Sequence, residues 1–317
     1  MKKDSKIYVA GHTGLLGTAL IKKLKDKGYE NIITQTHKKL DLTNKQDVDN
    51  YLANNRPEYI FLAAARVGGI HANSSYPAQF IYENLAIQIN VIHSAYLYEA
   101  KKLLFFGSAC SYPCECPQPI KEEYLLSGYL EPTNEPYAVA KIAGIKMCEA
   151  YNRQYGTNFI CAVPTNVYGT NDDFDPNDSH VIPALIRRFH EAKIKKQPIV
   201  AIWGSGNPRR EFIYVDDLAD ACLFLMEHYN ESEIINIGSG EEVSINELAY
   251  IIKEVIGYNG EISFDASKPD GTPRKMLDIS KLKKLGWQAE TSLVEGIGKT
   301  YEWYLNNFES ISSLWKK

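Results

Sequence analysis

Three glycines spaced three apart, Gly11, Gly14 and Gly17, separate an apolar run from a helical pattern at the start of the chain. Lys6-Ile7-Tyr8-Val9-Ala10 reads as a buried parallel strand. The residues beyond Gly17 read as a helix reaching about Lys27, with Gly28 as its cap. In such a turn Gly11 permits the tight bend, Gly14 lets a pyrophosphate approach the backbone, and Gly17 lets helix and strand pack closely. The helix N-terminus adds N–H donors and the positive end of its dipole. A purely structural turn uses the same residues, and the spacing is G-x-x-G-x-x-G rather than G-x-G-x-x-G. Its place between strand and helix is what favours a dinucleotide.

The same alternation continues. Asn31–Thr36 and Tyr59–Ala64 read as the second and third strands, and Leu103–Phe106 as a fourth that ends at Gly107-Ser108. Between them, Thr43-Asn44-Lys45-Gln46 reads as a capping box and 78–100 as a long helix. Phe159–Val163 is a further strand, ending at Pro164-Thr165-Asn166-Val167-Tyr168-Gly169. This order predicts an α/β protein with a doubly wound parallel sheet (Rossmann) and right-handed crossovers. Beyond Gly169 the chain turns polar, then resumes helices and strands. That predicts a second, smaller α/β substrate domain woven from two segments. The expected division is 1–169 plus 211–240 for the dinucleotide and 170–210 plus 241–317 for the substrate.

Chemistry enters at Ser108 and at Tyr137-Ala138-Val139-Ala140-Lys141. A Tyr and a Lys four residues apart lie one above the other on a helix face. Tyrosine is a poor acid or base at neutral pH, its reference pKa being about 10. A neighbouring ammonium favours the phenolate, and a serine hydroxyl supplies a second donor to the same oxyanion. Such a trio can polarise a carbonyl while a hydride moves. An aromatic anchor beside a solvated cation is the plainer reading of a lone pair at this spacing.

Composition narrows the class. A formal net charge of -4 argues against nucleic acid as a partner. No apolar run approaches the ~18 residues of a membrane span. The N-terminus leads straight into a strand without an apolar leader, and the six cysteines read as reduced thiols, so a cytoplasmic setting is expected. Cys114 and Cys116 form a C-x-C without a matching pair, which argues against zinc; no metal is expected.

With GHTGLLG, Ser108, YAVAK and FIYVDDLA assembled, the chain resembles the extended short-chain dehydrogenase/reductase superfamily. Within it the likeness is to enzymes that epimerise and reduce GDP-4-keto-6-deoxy sugars. SACSYP, LEPTNEPYAVAKIAGIK, PTNVYG, SHVIPALIRRFHEA, WGSG and DGTPRK carry it over most of the chain. The resemblance implies C3/C5 epimerisation by Cys110 and His180. Hydride then goes to C4 while Tyr137 gives the proton, tuned by Lys141 and assisted by Ser108. It implies NADP as cofactor, NAD being the less suited, bound along Gly11, Thr13, Gly14, Leu15, Leu16 and Gly17. His37, Lys38, Asp41, Leu42, Ala63, Ala64, Ala65, Phe106, Gly107, Pro164, Asn166 and Val167 would complete that surface. The GDP moiety of the small-molecule substrate falls to Arg188, Trp203, Arg210, Asp270 and Lys275, and a homodimer joined through helices is implied.

Two positions depart from that pattern: Thr13 stands where Arg is common, and no Arg lies beside His37. Lys38 and Lys39 then remain to meet a 2′-phosphate, or they are solvated turn charges. Competing readings are C4 reduction alone on a related GDP-4-keto-6-deoxy-heptose, an epimerase or dehydratase that recycles its cofactor, and a dinucleotide-sensing protein without catalysis.

Overall fold

The structure, a computed structural model, describes residues 1–176, 179–268 and 270–314. Its first part runs β1 (Ile7–Ala10), α1 (Leu15–Asp26), β2 (Ile32–Ile33), α2 (Lys45–Asn55), β3 (Tyr59–Leu62), α3 (Ile70–Ser75), α4 (Pro77–Leu97), β4 (Lys102–Phe106), α5 (Glu135–Tyr155) and β5 (Phe159–Pro164). Then follow β6 (Asn166–Tyr168), α6 (Val181–Ile194), β7 (Ile199–Trp203), β8 (Arg209–Tyr214), α7 (Val215–His228), β9 (Ile235–Ile237) and β10 (Glu242–Ser244). The chain closes with α8 (Ile245–Ile256), β11 (Glu261–Asp265), β12 (Arg274–Lys275), α9 (Ser280–Leu285) and α10 (Leu293–Leu314).

Six strands pair in the order β2-β1-β3-β4-β5-β9, every pair parallel. Apart from the edge strand β2, their side chains are nearly all buried on both faces, which explains the unbroken apolar runs. Leu20, Leu24, Leu218 and Cys222 from α1 and α7 cover one face. Val48, Val91, Ile145 and Cys148 from α2, α4 and α5 cover the other. The chain steps to one side of β1 for β2 and to the other for β3. The crevice of this switch point lies beyond the carboxyl ends of β1 and β3, where Gly11 and Ala63 sit.

A second group of strands lies outside that sheet. β8 pairs with β6 and β12 in parallel and with β10 antiparallel, while β7 pairs with β11. Ile186 and Phe189 of α6, Leu248 and Ile252 of α8, and Tyr304 of α10 fill the adjoining core. Among the described residues no helix is long and apolar enough to cross a membrane.

Three local expectations change. β2 keeps only Ile32 and Ile33 in register with β1, because the polar Thr34–Thr36 peels away at the sheet edge. The cap of α2 is Asn44, whose side chain accepts from the N–H groups of Gln46 and Asp47; Thr43 instead donates its hydroxyl to Asp41. Asn166–Tyr168, expected as a strand end, forms a strand of its own against β8.

Candidate active site

The glycine turn divides its tasks by sterics. A Cβ on Gly17 would stand 2.0 Å from the Gly11 carbonyl oxygen, and one on Gly11 2.6 Å from the Ala64 nitrogen. Both positions therefore exclude any side chain. Gly14 is exposed, and a Cβ there would find only the Gly11 oxygen, at 3.5 Å. It also precedes α1, whose first turn carries no acidic residue and no side-chain cap. The free N–H groups of Leu15 and Leu16 and the open Gly14 backbone make a cradle that a pyrophosphate fits. Thr13 is exposed beside it, and its carbonyl accepts from Asn171 Nδ2 at 3.1 Å.

The other expected cofactor residues follow strand ends. His37 and Lys38 are exposed in the turn after β2, with His37 3.9 Å from Asp41. Hydrogen bonds from the Thr43 hydroxyl and N–H hold the Asp41 carboxyl below its ordinary pKa, and Leu42 is buried beside it. Ala63, Ala64 and Ala65 continue from β3, and Phe106 and Gly107 from β4. Pro164 ends β5, Asn166 donates to the Glu211 carbonyl at 2.8 Å, and Val167 packs against the core cluster. All but Asn166 and Val167, which open the short strand β6, lie at carboxyl ends of strands or in the segments that follow.

Ser108 follows β4 in extended backbone, its hydroxyl accepting from Cys110 N–H at 3.2 Å. Tyr137 and Lys141 stand on α5, whose first turn holds Pro136 and whose end is capped by Gly156 at φ 67°. The Ser108 hydroxyl lies close enough to the Tyr137 phenol to favour its ionised form. Burial, with Cys110 nearby, raises the phenol's pKa well above the ordinary value despite Ser108. The phenol is thus held as a proton donor, the state that reduction of a ketone needs. Lys141 Nζ donates to the Phe106 carbonyl at 3.0 Å and lies 5.7 Å from the Tyr137 ring centroid. Burial lowers its pKa from 10.5 to about 8. The ammonium therefore contacts the strand end, and burial governs the phenol.

Cys110 is a half-buried free thiol next to this group, close enough to influence both Tyr137 and Arg210. His180 caps α6 with its carbonyl and lies in extended backbone. The residue is exposed at the surface, yet the atoms packed around its ring lower its pKa, against the opposing pull of Asp173. A neutral imidazole can take a proton, and returns it once charged.

The two adjacent arginines of α6 separate as one-sided burial requires. Arg187 is buried with Nε 3.9 Å from Glu191, whereas Arg188 lies 5.8 Å over the Trp203 ring. Trp203 is 65% exposed, with Lys268 also at 5.6 Å. Arg210 is half-buried beside Gly271, and burial lowers its pKa. Asp270 does other work: its carboxylate accepts the Ser205 N–H at 2.8 Å and hydroxyl at 2.6 Å, tying the turn after β7 to the segment before β12. Lys275 pairs with Arg210 in the β12–β8 register. Arg188 and Trp203 thus form one surface, and Arg210 and Lys275 another.

Three side chains at this site are absent from the sequence candidates. Glu211 is completely buried and accepts N–H bonds from Gly240 at 2.8 Å and Leu277 at 3.0 Å, beside Arg210. Asn171 bridges to Thr13 and to the Thr18 hydroxyl. Asn134 donates to Cys110 Sγ at 3.3 Å. Their partners lie far along the chain from Glu211 and Asn171, so no local pattern points to them.

A dinucleotide cradle facing a serine, a tyrosine and a lysine defines an oxidoreductase of the doubly wound class. Residues 7–238 match the NAD dependent epimerase/dehydratase family, and the chain belongs to that family. GDP-L-fucose synthase 1 of Arabidopsis thaliana is 57% identical over 96% of this chain and 94% of its own length. A GDP-6-OMe-4-keto-L-xylo-heptose reductase from C. jejuni superposes with a TM-score of 0.93 and 42% identity, covering 97% of this chain and 99% of that one. The Campylobacter jejuni GDP-mannoheptose C4 reductase MlghC, solved with NADP bound, gives a TM-score of 0.90 and 44% identity over 96% and 99% of the two chains.

Proposed function

We propose that this chain is an NADPH-dependent enzyme that inverts C3 and C5 of a GDP-4-keto-6-deoxy hexose and then reduces C4. The observation that carries it is the grouping of Cys110 with Ser108, Tyr137 and Arg210. A reducing trio alone needs no thiol beside the phenol. A C4 ketone acidifies the hydrogens on C3 and C5. One member of the Cys110–His180 pair takes such a proton as its C–H electrons move to the ketone oxygen. The other returns a proton to the opposite face. NADPH supplies the hydride to C4, and Tyr137 gives its proton to the oxygen that Ser108 holds, with Lys141 fixed behind them.

The cofactor runs over Gly14 and the start of α1, with Lys38 toward a 2′-phosphate and NAD accommodated less well. Residues 1–169 plus 211–240 serve the dinucleotide, and 170–210 plus 241–317 the GDP-sugar. Arg188 and Arg210 take the pyrophosphate by their forked donors and Trp203 packs on the nucleotide. Asp270 acts by shaping the turn that presents Trp203. Exposed Tyr82, Ile89 and Leu97 on α4, with Val139 and Tyr155 on α5, support a homodimer through these helices.

Incubation with GDP-4-keto-6-deoxy-mannose and NADPH tests the reading. One NADPH should be oxidised per product, and NMR should show the sugar inverted at both carbons. A cofactor that is never consumed contradicts it. A second reading, C4 reduction without inversion, is favoured by the likeness to the heptose reductase. It predicts the same NADPH stoichiometry with neither carbon inverted.

A further inference from the structure

Asn134 is the N-cap residue of α5: its carbonyl accepts from Ala138 N–H at 3.0 Å, yet its side chain makes no capping bond. Asparagine is among the best residues for that bond. Here the amide turns away from the helix and donates from Nδ2 to Cys110 Sγ at 3.3 Å. Its Oδ1 is buried and has no hydrogen-bond partner among the described residues, which is costly for a buried acceptor. An asparagine that forgoes its capping bond and grips a thiol serves Cys110 rather than the helix.

We propose that Asn134 is a positioning residue for the epimerisation, orienting Cys110 and stabilising its thiolate. The assignment rests on the epimerase reading of Cys110. The N–H donor favours the anionic sulfur that takes a proton, and a hydrogen bond to the charged form strengthens as charge develops. Hydride transfer from the cofactor to C4 does not pass through this contact. Loss of Asn134 therefore slows inversion more than reduction.

The test compares wild type with Asn134→Asp and Asn134→Ala. Asp keeps the volume and the capping ability but replaces the donor with an anion. Deuterium wash-in at C3 and C5 from D2O, with NADP⁺ in place of NADPH, reads inversion. Alkylation of Cys110 by iodoacetamide at one pH, resolved by peptide mass spectrometry, reads the thiol without any sugar. Expected are wash-in lower by about 10- to 100-fold in Asn134→Ala and more in Asn134→Asp. Alkylation of Cys110 slows in Asn134→Asp, and the share of product reduced without inversion rises in both variants. A purely structural role would depress both steps together and leave that share unchanged.

Wash-in in Asn134→Ala within twofold of wild type overturns the proposal, as does an unchanged product share. An Asn134→Asp alkylation rate equal to wild type overturns it too, whether or not Asn134→Ala folds. If wild type itself takes up no deuterium, the epimerase reading fails separately, and the alkylation arm alone decides whether Asn134 governs the thiol.

Discussion

The six-stranded sheet and the smaller group of strands around β8 are built on different rules. β1, β3, β4 and β5 are buried on both faces and carry almost nothing but apolar side chains, the lysine at the start of β4 excepted. What they offer a ligand is backbone: strand ends, a helix start, and glycines that exclude their own side chains. β7 alternates exposed and buried residues, and β8 opens on two arginines and a buried glutamate. On the proposed reading the first region serves the dinucleotide and the second distinguishes one substrate from another by charged side chains, so substitutions in the two should fail in different ways.

The largest contrast lies where the regions meet. Tyr137→Phe should lower reduction by about 10²- to 10⁴-fold, the usual worth of a positioned proton donor. Deuterium wash-in at C3 and C5 should persist, measured on the same preparation. Equal loss of both activities would mean that the phenol serves inversion as well as reduction.

Within the backbone-built region, Gly17→Ala and Gly14→Ala should differ sharply. The first sets a methyl 2.0 Å from the Gly11 oxygen and should unfold the turn, lowering Tm by several degrees. The second meets only the Gly11 oxygen, at an ordinary contact distance of 3.5 Å, so Tm should hold while NADPH affinity falls about tenfold or more, read by fluorescence titration. Similar Tm losses in both would count against the cradle.

In the region built from side chains, Arg188→Ala should raise KM for the GDP-sugar by about 10- to 100-fold, the loss of charged hydrogen bonds. NADPH binding should not change. Arg187, turned inward against Glu191, should show a stability loss instead.

Two pH effects are smaller. Lys141 is held at about 8, below its ordinary 10.5, so its ammonium is present below pH 8 and is lost as pH rises through that value. kcat/KM should fall on the alkaline side near pH 8, and Lys141→Arg should move the fall upward. His190 packs among Tyr301, Tyr304 and Phe308, and burial, then Lys193, lowers its pKa below 6.5. Below that pH the unfolded chain takes a proton that the native chain resists. Stability should therefore drain as pH falls below 6.5, and His190→Phe should flatten the slope of Tm against pH.

This contrast also explains what could be read ahead of the structure. The glycine turn, the buried strands and α5 between Pro136 and Gly156 are local patterns, each enforced by backbone sterics within a few residues. Ser108, Tyr137 and Lys141 ride on them, so their grouping followed. The resemblance gives Asp270 to the GDP moiety, and its bond to Ser205, 65 residues away, shows in no local pattern. Asn134 was hidden for the opposite reason. At a helix start it reads as a cap, and only coordinates reveal that its amide has turned to Cys110. β2 and β6 were misjudged at their edges, where pairing with a distant strand decides the length.

The central claim is that one site performs inversion at two carbons as well as reduction at a third. Wild-type protein with the GDP-keto sugar in D2O, given NADPH and followed by NMR, measures it most directly. The account predicts deuterium at both C3 and C5 of a C4-reduced product, with one NADPH consumed per molecule. A C4-reduced product free of deuterium at both carbons would contradict it, whatever the rate of NADPH oxidation.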